Sequence, residues 1–144
     1  RGASSFGELT PQERHGQAAM VMSIVERAVD VNGQAYLRAH YGRELFGGEH
    51  EREMANHLVR VVIGTMPTGM HNRRGIEKLV RIYFGQDISM VSVRKDMGCG
   101  KTKVYEYKTS VNDALDMIGK RAEYDADAVL RKAGLISEIE VIAA

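Results

Sequence analysis

Apolar residues recur at helical spacing along most of this chain, and little in the sequence interrupts that pattern. Only two of the 144 residues are proline, and the alternation of β-branched and polar residues that marks strands is scarce. A chain of this length can bury a hydrophobic core as one domain. The sequence therefore predicts an all-α fold, a compact multi-helix bundle, with a single helical domain over residues 10–134.

The first helix has a well-marked predicted start. Thr10 suits the N-cap, Pro11 suits the first helical position, and Glu13 completes a capping box. Asn32-Gly33 is a typical helix end, because these residues tolerate a left-handed backbone. We therefore expect the first helix to run from Pro11 to that pair.

Three further helices are expected before the centre of the chain. They are predicted over about residues 34–45, 49–63 and 72–84. The side chains expected to face inward from them are Tyr36, Leu37, Tyr41, Leu45, Met54, Leu58, Val61, Val62, Ile76, Leu79, Val80 and Tyr83. The basic side chains of the last of these helices are expected to lie largely outward: Arg73, Arg74, Lys78 and Arg81. Residues 1–9 are expected to form a flexible arm, and residues 135–144 a tail.

Composition argues against several kinds of site. The single cysteine, Cys99, allows neither an intramolecular disulfide nor a four-cysteine zinc site. In HEREM, Met54 stands where a zinc-binding HExxH helix needs its second histidine, so no metal or other cofactor is expected. No apolar run reaches the roughly 18 residues of a membrane span, and no signal-peptide core precedes the first helix. We therefore expect a cytoplasmic protein without a membrane partner.

Residues 98–102, GCGKT, end like a phosphate-binding loop but lack its spacing. That loop needs a glycine, four residues and then Gly-Lys-Ser/Thr, because its backbone N–H groups curl around an anion. Here Lys95 occupies the position five before Gly100, and the preceding residues do not form a buried β-branched strand. We therefore expect no nucleotide site here and do not expect an enzyme.

Residues 90–111, MVSVRKDMGCGKTKVYEYKTSV, fit a helix-turn-helix. In that motif two short helices pack around a tight turn, in which glycine adopts a positive φ. Gly98 is placed at the turn, and Arg94 then departs from the small residue usual at the helix crossing. The five apolar positions of the motif fall on Val93, Met97, Cys99, Val104 and Tyr107. Because many helical bundles contain this geometry without binding DNA, the motif alone leaves both interpretations open.

Basic residues are concentrated around this segment. Residues 71–108 contain nine Lys and Arg against four Asp and Glu, a net charge of +5, whereas the whole chain carries +1. A local excess of this kind is typical of an anion-facing surface, although a solvated protein face shows it as well. Long donors near a helix N-terminus can reach phosphates and major-groove base edges. The side chains predicted to contact DNA are Arg73, Arg74, Arg94, Lys95, Lys101, Thr102, Lys103, Tyr105, Lys108 and Thr109.

A family resemblance supports the same interpretation. The stretch HNRRGIEKLVRIYFGQDISMVSVRKDMGCGKTKVYEYKTSVNDALDMI, with the helical part before it, resembles the late-gene antitermination proteins of lambdoid and related phages. The resemblance covers roughly residues 10–134 and is to the Q type without a zinc finger, whose helix-turn-helix is similar to the −35-reading region of sigma factors. By matching position, it implies that Lys101, Thr102, Tyr105 and Thr109 read DNA and that Arg94 and Lys95 contact phosphates.

The resemblance also implies partners and a function. Such proteins bind double-stranded DNA near the late promoter, engage paused bacterial RNA polymerase with its sigma factor, and travel with it. They narrow the RNA exit channel so that terminator hairpins cannot form. For this chain it implies a phage antitermination factor in the cytoplasm of a bacterial host cell, and it allows weak or DNA-dependent self-association.

Three alternatives stay open at this point. An ordinary helix-turn-helix repressor or activator would bind a palindrome as a symmetric dimer. A pure interaction protein would show no salt-dependent DNA binding. An enzyme that used GCGKT or the histidines would hydrolyse a nucleoside triphosphate or hold zinc tightly.

Overall fold

A computed structural model describes residues 10–41, 49–66 and 72–134, except the side chains of His15, Ala18, Glu49, His50 and Glu51. The helices are α1 Pro11–Ala28, α2 Val31–Tyr41, α3 Glu49–Thr65, α4 Arg73–Tyr83, α5 Met90–Met97 and α6 Lys101–Lys132. The described ranges contain no strand, which confirms the predicted helical class. None of the helices in these ranges has the length and apolar content needed to cross a bilayer. The predicted arm, the predicted tail and Leu45 lie outside the described residues.

Contacts divide the chain into two units. One holds Arg1–Asp30 and Glu123–Ala144, and the other holds Val31–Ala122. Of the described helices, the first unit contains α1 and the last part of α6, and the second contains α2 to α5 and the larger part of α6. All residues predicted to contact DNA belong to the second unit. The expectation of a single domain over residues 10–134 stays a prediction.

Polar side chains cap three helix starts. The Thr10 hydroxyl oxygen accepts a hydrogen bond from the Glu13 N–H (3.1 Å), and Pro11 occupies the first turn, as the sequence predicted. Asn72 and Ser89 cap α4 and α5 in the same way. Each cap satisfies one of the N–H groups that a helix leaves unpaired in its first turn.

The predicted end of the first helix is wrong. Val29 adopts an extended backbone (φ −101°, ψ 139°), so α1 ends at Ala28. Asn32 and Gly33 lie inside α2 instead. There Gly33 is buried, and Asn32 Oδ1 is hydrogen-bonded to His57 Nε2 (2.5 Å). Tertiary packing on α3 thus outweighs the local preference of this pair for a helix end.

Consecutive helices of the second unit pack on one another: α2 on α3, α3 on α4, and α4 on α5. Their shared core is aliphatic. Among its large side chains on α3 and α4, six are only 0–1% exposed: Leu58, Val59, Val62, Ile76, Leu79 and Val80. Helical spacing predicted all of these positions except Val59. Because α3 packs on both α2 and α4, its apolar face is wider than a single stripe.

Tyr41 does not join this core, although it was predicted to face inward. Its side chain is 66% exposed, whereas Tyr36 and Leu37 are buried. Tyr41 is the last residue of α2, which starts and ends earlier than predicted. Its ring packs edge-on against the neighbouring His40, with centroids 4.6 Å apart.

One face of α6 completes the core of this unit. Val104, Val111 and Leu115 are fully buried, at positions that share one side of the helix. Further along, a Cβ atom at Gly119 would overlap the Tyr36 ring, so the missing side chain allows a close approach. This continuous apolar face keeps α6 helical well beyond residue 111, to Lys132.

Lys78 does not lie outward as predicted. Its side chain is 26% exposed, and its Nζ lies 2.6 Å from Asp96 Oδ2 and 2.5 Å from Ser92 Oγ. The prediction placed Lys78 on the outward side of α4, but α5 packs beside α4 there and supplies both partners. Arg73 and Arg74, one turn earlier, are exposed as expected.

Candidate nucleic-acid interface

A three-residue turn joins α5 to α6. Gly98 has a left-handed backbone (φ 62°, ψ 31°), and its N–H donates to the Arg94 carbonyl (2.9 Å), which ends α5. The Gly100 carbonyl accepts from the Val104 N–H (3.1 Å) and so begins α6. Gly98 has a positive φ and Gly100 does not, while a Cβ would meet open space at both. Only Gly98 is therefore required by the backbone conformation.

The five apolar residues predicted for this segment are buried to different degrees. Val93 of α5 and Val104 of α6 are fully buried. The other three, Met97, Cys99 and Tyr107, are half-buried. One valine from each helix therefore fixes the segment on the core of the unit.

Most of the side chains predicted to contact DNA are exposed. Exposed members of the set are Arg73, Arg74, Arg94, Lys95, Lys101, Thr102, Lys103, Tyr105 and Thr109, and Lys108 is half-buried. Helix geometry places Thr102 almost opposite the buried Val104, so it lies near the centre of the outward face of α6. Exposure is a condition for binding a macromolecule and does not by itself identify one.

Asn72 brings the start of α4 to the end of α5. Its Oδ1 accepts from the Gly75 N–H (2.8 Å), and its Nδ2 donates to the Asp96 carbonyl (2.5 Å). The basic pair that follows Asn72 therefore lies beside the last turn of α5, which carries Arg94 and Lys95. Residues some twenty positions apart in the sequence thus contribute to one surface next to the turn.

The same two helices approach closely at Gly75. A Cβ atom there would overlap the side chain of Met97, the last residue of α5. The small residue that a helix crossing needs is therefore on α4. Arg94, which departs from the expected small residue of the motif, is exposed and free of this constraint.

Most of the positive charges on this surface have no carboxylate beside them in the described part of the chain. Among the described residues, no Asp or Glu lies within ion-pair distance of five exposed members of the predicted set: Arg73, Arg74, Arg94, Lys95 and Lys101. Lys103 differs, because its Nζ lies 3.3 Å from Glu106 Oε2. Since exposed pairs of this kind are weak, a stronger anion can displace Glu106. The surface is therefore positive, with one internal acid close to its centre.

Two tyrosines of α6 hold lysines over their rings. Lys103 Nζ lies 5.9 Å from the Tyr107 ring centroid, and Lys108 Nζ lies 5.8 Å from that of Tyr105. These distances are typical of cation–π contacts, which restrict the lysine while leaving its charge in place. Tyr105 itself is 44% exposed and offers a hydroxyl.

Thr109 has a narrower chemical role than the sequence predicted. Its hydroxyl donates to the Tyr105 carbonyl one turn earlier (3.1 Å). The donor of the hydroxyl is therefore used within the helix. What Thr109 can present to a partner is its methyl group and an acceptor lone pair, which suits an apolar contact such as a thymine methyl.

A hydrogen-bonded pair of tyrosines supports α6 behind this surface. Tyr83 donates to Asp116 Oδ1 (2.7 Å), so the Tyr36 hydroxyl, 2.9 Å away, is the donor to Tyr83. Burial raises the pKa of Tyr83 above its usual range, and the hydrogen bonds to Tyr36 and Asp116 raise it further. The network links α2, α4 and α6.

The histidines play a limited part in the described residues. His57 is engaged by Asn32, as described above, and no three His, Cys, Asp or Glu side chains of the described ranges converge on a possible metal position. The side chain of His50 and the whole of His71 lie outside those ranges.

Sequence reasoning missed the residues that join the elements. Asn72 directly before an apolar helix is an N-cap signal that was available in the sequence. The pairing of Lys78 with Asp96, and of Tyr83 with Asp116, left no such signal, because each joins residues 18 or more positions apart. No protein-family model, no curated protein and no solved structure matches this chain.

Proposed function

We propose that the chain is a DNA-binding transcription regulator, and that it is a phage antitermination factor acting on RNA polymerase. In this proposal α5, the turn at residues 98–100 and the start of α6 act as a helix-turn-helix. The observation that carries DNA binding is the group of exposed cations from α4, α5 and α6 that lie beside the first turn of α6 and have no ion-pair partner within the ranges that the structure describes. Such a group is the electrostatic footprint expected for a phosphate backbone.

The start of α6 suits the major groove in shape and chemistry. An α-helix is about 10–12 Å across with its side chains, and the major groove is about 12 Å wide. The buried Val104 holds one side of α6 on the core, which leaves Lys101, Thr102 and Tyr105 to reach base edges. The basic residues of α4 and α5 then contact phosphates on either side and position the helix.

The antitermination role rests on the sequence resemblance of residues 10–134. It names the late promoter region as the DNA partner, and RNA polymerase with its sigma factor as the protein partner. An ordinary helix-turn-helix repressor or activator is the second candidate, because the surface of α4 to α6 accounts for DNA binding equally well in either role.

A selection experiment tests the DNA-binding part. Fragments of phage and host DNA are selected on the immobilised chain, and the affinity for the best fragment is measured by fluorescence anisotropy. Lys101→Ala and Thr102→Ala are each expected to lower the binding free energy of that complex by about 1–3 kcal/mol, the contribution of one good contact to a base edge. Thr65→Ala, an exposed threonine on α3, is the matched control and should bind like the wild type.

Two results would contradict the assignment. One is the absence of salt-dependent binding to any fragment. The other is unchanged affinity of both the Lys101 and Thr102 variants for the selected fragment.

A purified transcription system separates the two candidates. The template carries the selected site, a promoter and a downstream terminator, and RNA polymerase is supplied with its sigma factor. Increased readthrough of the terminator supports antitermination. Site-specific binding that alters initiation without readthrough supports the ordinary regulator instead.

A further inference from the structure

Lys78 lies within the basic segment of the sequence, yet its ion pair joins two helices. The pairs of Arg81 with Glu77 and of Lys103 with Glu106 are each formed within one helix. Lys78 of α4 instead contacts Asp96 and Ser92 of α5. We propose that Lys78 and Asp96 are positioning residues of the DNA interface: their pair fixes α5 on α4, and Lys78 does not contact DNA.

The proposal rests on the proposed DNA binding and deepens it. Asp96 is held at two points. Its carboxylate lies 2.6 Å from Lys78 Nζ, and its backbone carbonyl accepts from Asn72 (2.5 Å). Asn72 caps α4 at the same time. The end of α5 is therefore tied to the first and second turns of α4.

The Lys78–Asp96 pair has no substitute. Asp96 Oδ2 is shielded from solvent and accepts no hydrogen bond of good geometry among the described residues, so the 2.6 Å approach of Lys78 Nζ is an ion pair and the charge of Lys78 is what compensates it. The Asp96 side chain is 18% exposed, so water replaces a lost partner only in part. Removing either charge leaves the other largely unpaired in a partly buried position, which is unfavourable. The contact between α4 and α5 would therefore rearrange so that the remaining charge reaches water.

Arg94 and Lys95 are the residues that such a reorganisation would displace. They directly precede Asp96 in the last turn of α5 and belong to the predicted phosphate contacts. The contacts of Asp96 with Lys78 and Asn72, which we call the clamp, set the distance of these two residues from the basic pair at the start of α4. Phosphates are at fixed spacing along a duplex, so a shift of α5 reduces the number that can be contacted together.

The charge of Asp96 and its positioning role predict opposite changes in DNA affinity when Asp96 is replaced. Asp96 is an acid beside a positive surface, so on charge alone its removal should strengthen DNA binding. If Asp96 instead positions α5, its removal should weaken binding. Asp96→Asn, which keeps the size of the side chain, therefore separates the two effects.

The matched control is Asp87→Asn, which removes an exposed acid from the segment just before α5. We expect Asp87→Asn to bind the selected fragment as well as the wild type or slightly better. Asp96→Asn is expected to bind about three- to tenfold less tightly, in the lower part of the range measured for coupling between contacting residues. Equal or tighter binding by Asp96→Asn would overturn the proposal.

Salt dependence tests whether Lys78 itself contacts phosphate. Each phosphate contact contributes about 0.9 to the slope of log affinity against log salt concentration. Lys95→Met, which removes an exposed cation, is expected to lower the slope by about that amount. Lys78→Met is expected to lower affinity and keep the wild-type slope; a reduced slope, or unchanged affinity, would show the proposal to be wrong.

Amide hydrogen exchange of the free protein examines the clamp without DNA. The amides of residues 93–97 are expected to exchange faster in Asp96→Asn than in the wild type, and at the wild-type rate in Asp87→Asn. Unchanged exchange in Asp96→Asn would refute the clamp. Failure of the wild type to bind any DNA would refute the proposed function while leaving this measurement decisive for the clamp.

Discussion

At the scale of single residues, the two glycines of GCGKT resemble those of a phosphate-binding loop but have a different structural role. Gly98 adopts a positive φ that ends α5, and Gly100 precedes α6 with an ordinary backbone and open space around it. The Lys101 that follows begins a helix. The resemblance of these letters to a phosphate loop therefore comes from a turn and a helix start.

Substitution of the two glycines should have different effects on stability. Gly98→Ala is expected to lower the free energy of unfolding by about 1–2 kcal/mol, the cost of a left-handed backbone for an L-residue. Gly100→Ala is expected to change it by less than about 0.5 kcal/mol, because reduced unfolded-state entropy offsets a poorer N-cap. Urea denaturation of both variants measures the difference, and equal effects would contradict the assigned roles.

Tyr83 gives a residue-scale prediction for pH. Its pKa is raised in the folded protein by burial first and then by the hydrogen bonds to Tyr36 and Asp116. The unfolded chain ionises this hydroxyl near pH 10, while the folded protein retains the proton. Its contribution to stability is therefore fully present below about pH 10 and is lost as the pH rises above that value.

The variant Tyr83→Phe cannot ionise at this position. Its stability should therefore fall less steeply between about pH 10 and pH 11 than that of the wild type, although it should be lower at neutral pH. Urea denaturation at several pH values makes the comparison, and the remaining tyrosines and lysines are common to both proteins. Parallel pH profiles would contradict the raised pKa.

At the scale of elements, close approaches decide where helices lie. Gly75 admits the Met97 side chain where α4 meets α5, and Gly119 admits the Tyr36 ring where α6 meets α2. Met97 is flexible and can move aside, whereas the Tyr36 hydroxyl is hydrogen-bonded and its ring is buried. The Gly119 contact should therefore tolerate a side chain less well.

Alanine at this helix contact should be destabilising despite its helix preference. Gly119→Ala is expected to cost about 1–2 kcal/mol, because the overlap with Tyr36 exceeds the gain in helix propensity. The control is Gly64→Ala on α3, where a Cβ meets nothing within 4 Å and a gain of up to about 1 kcal/mol is expected. Thermal denaturation compares them; a stabilised Gly119→Ala would show that the contact relaxes freely.

At the scale of the whole molecule, total charge is a poor guide to binding. The chain carries only +1, because residues 1–70 and 109–144 each have an excess of acids that offsets the basic segment. Packing of α4, α5 and α6 places together cations that have no ion-pair partner in the described part of the chain, while Glu77 and Glu106 are neutralised by pairs within their own helices. A small net charge therefore coexists with a locally positive surface.

The proposed complex should depend on salt in proportion to that surface. The four exposed cations assigned to phosphates, Arg73, Arg74, Arg94 and Lys95, have no ion-pair partner in the described ranges and predict a slope of about −3 to −4 for log affinity against log salt. Fluorescence anisotropy between about 50 and 200 mM salt measures it, and a slope of this size lowers the affinity by about two orders of magnitude over that range. A slope near zero would mean that the cations contact no phosphates.

The sequence by itself determined most helix boundaries of this protein, because caps, periodic apolar residues and glycine turns act over a few neighbouring residues. It placed α3, α4 and α5 to within about two residues and located the turn at Gly98. Only the tertiary structure decided which polar side chains pair across helices. Lys78 and Asn32 were assigned by local pattern, yet each pairs with a helix that the chain reaches only later. Such pairings depend on how helices pack, and that information is spread over the whole core rather than held in any one segment.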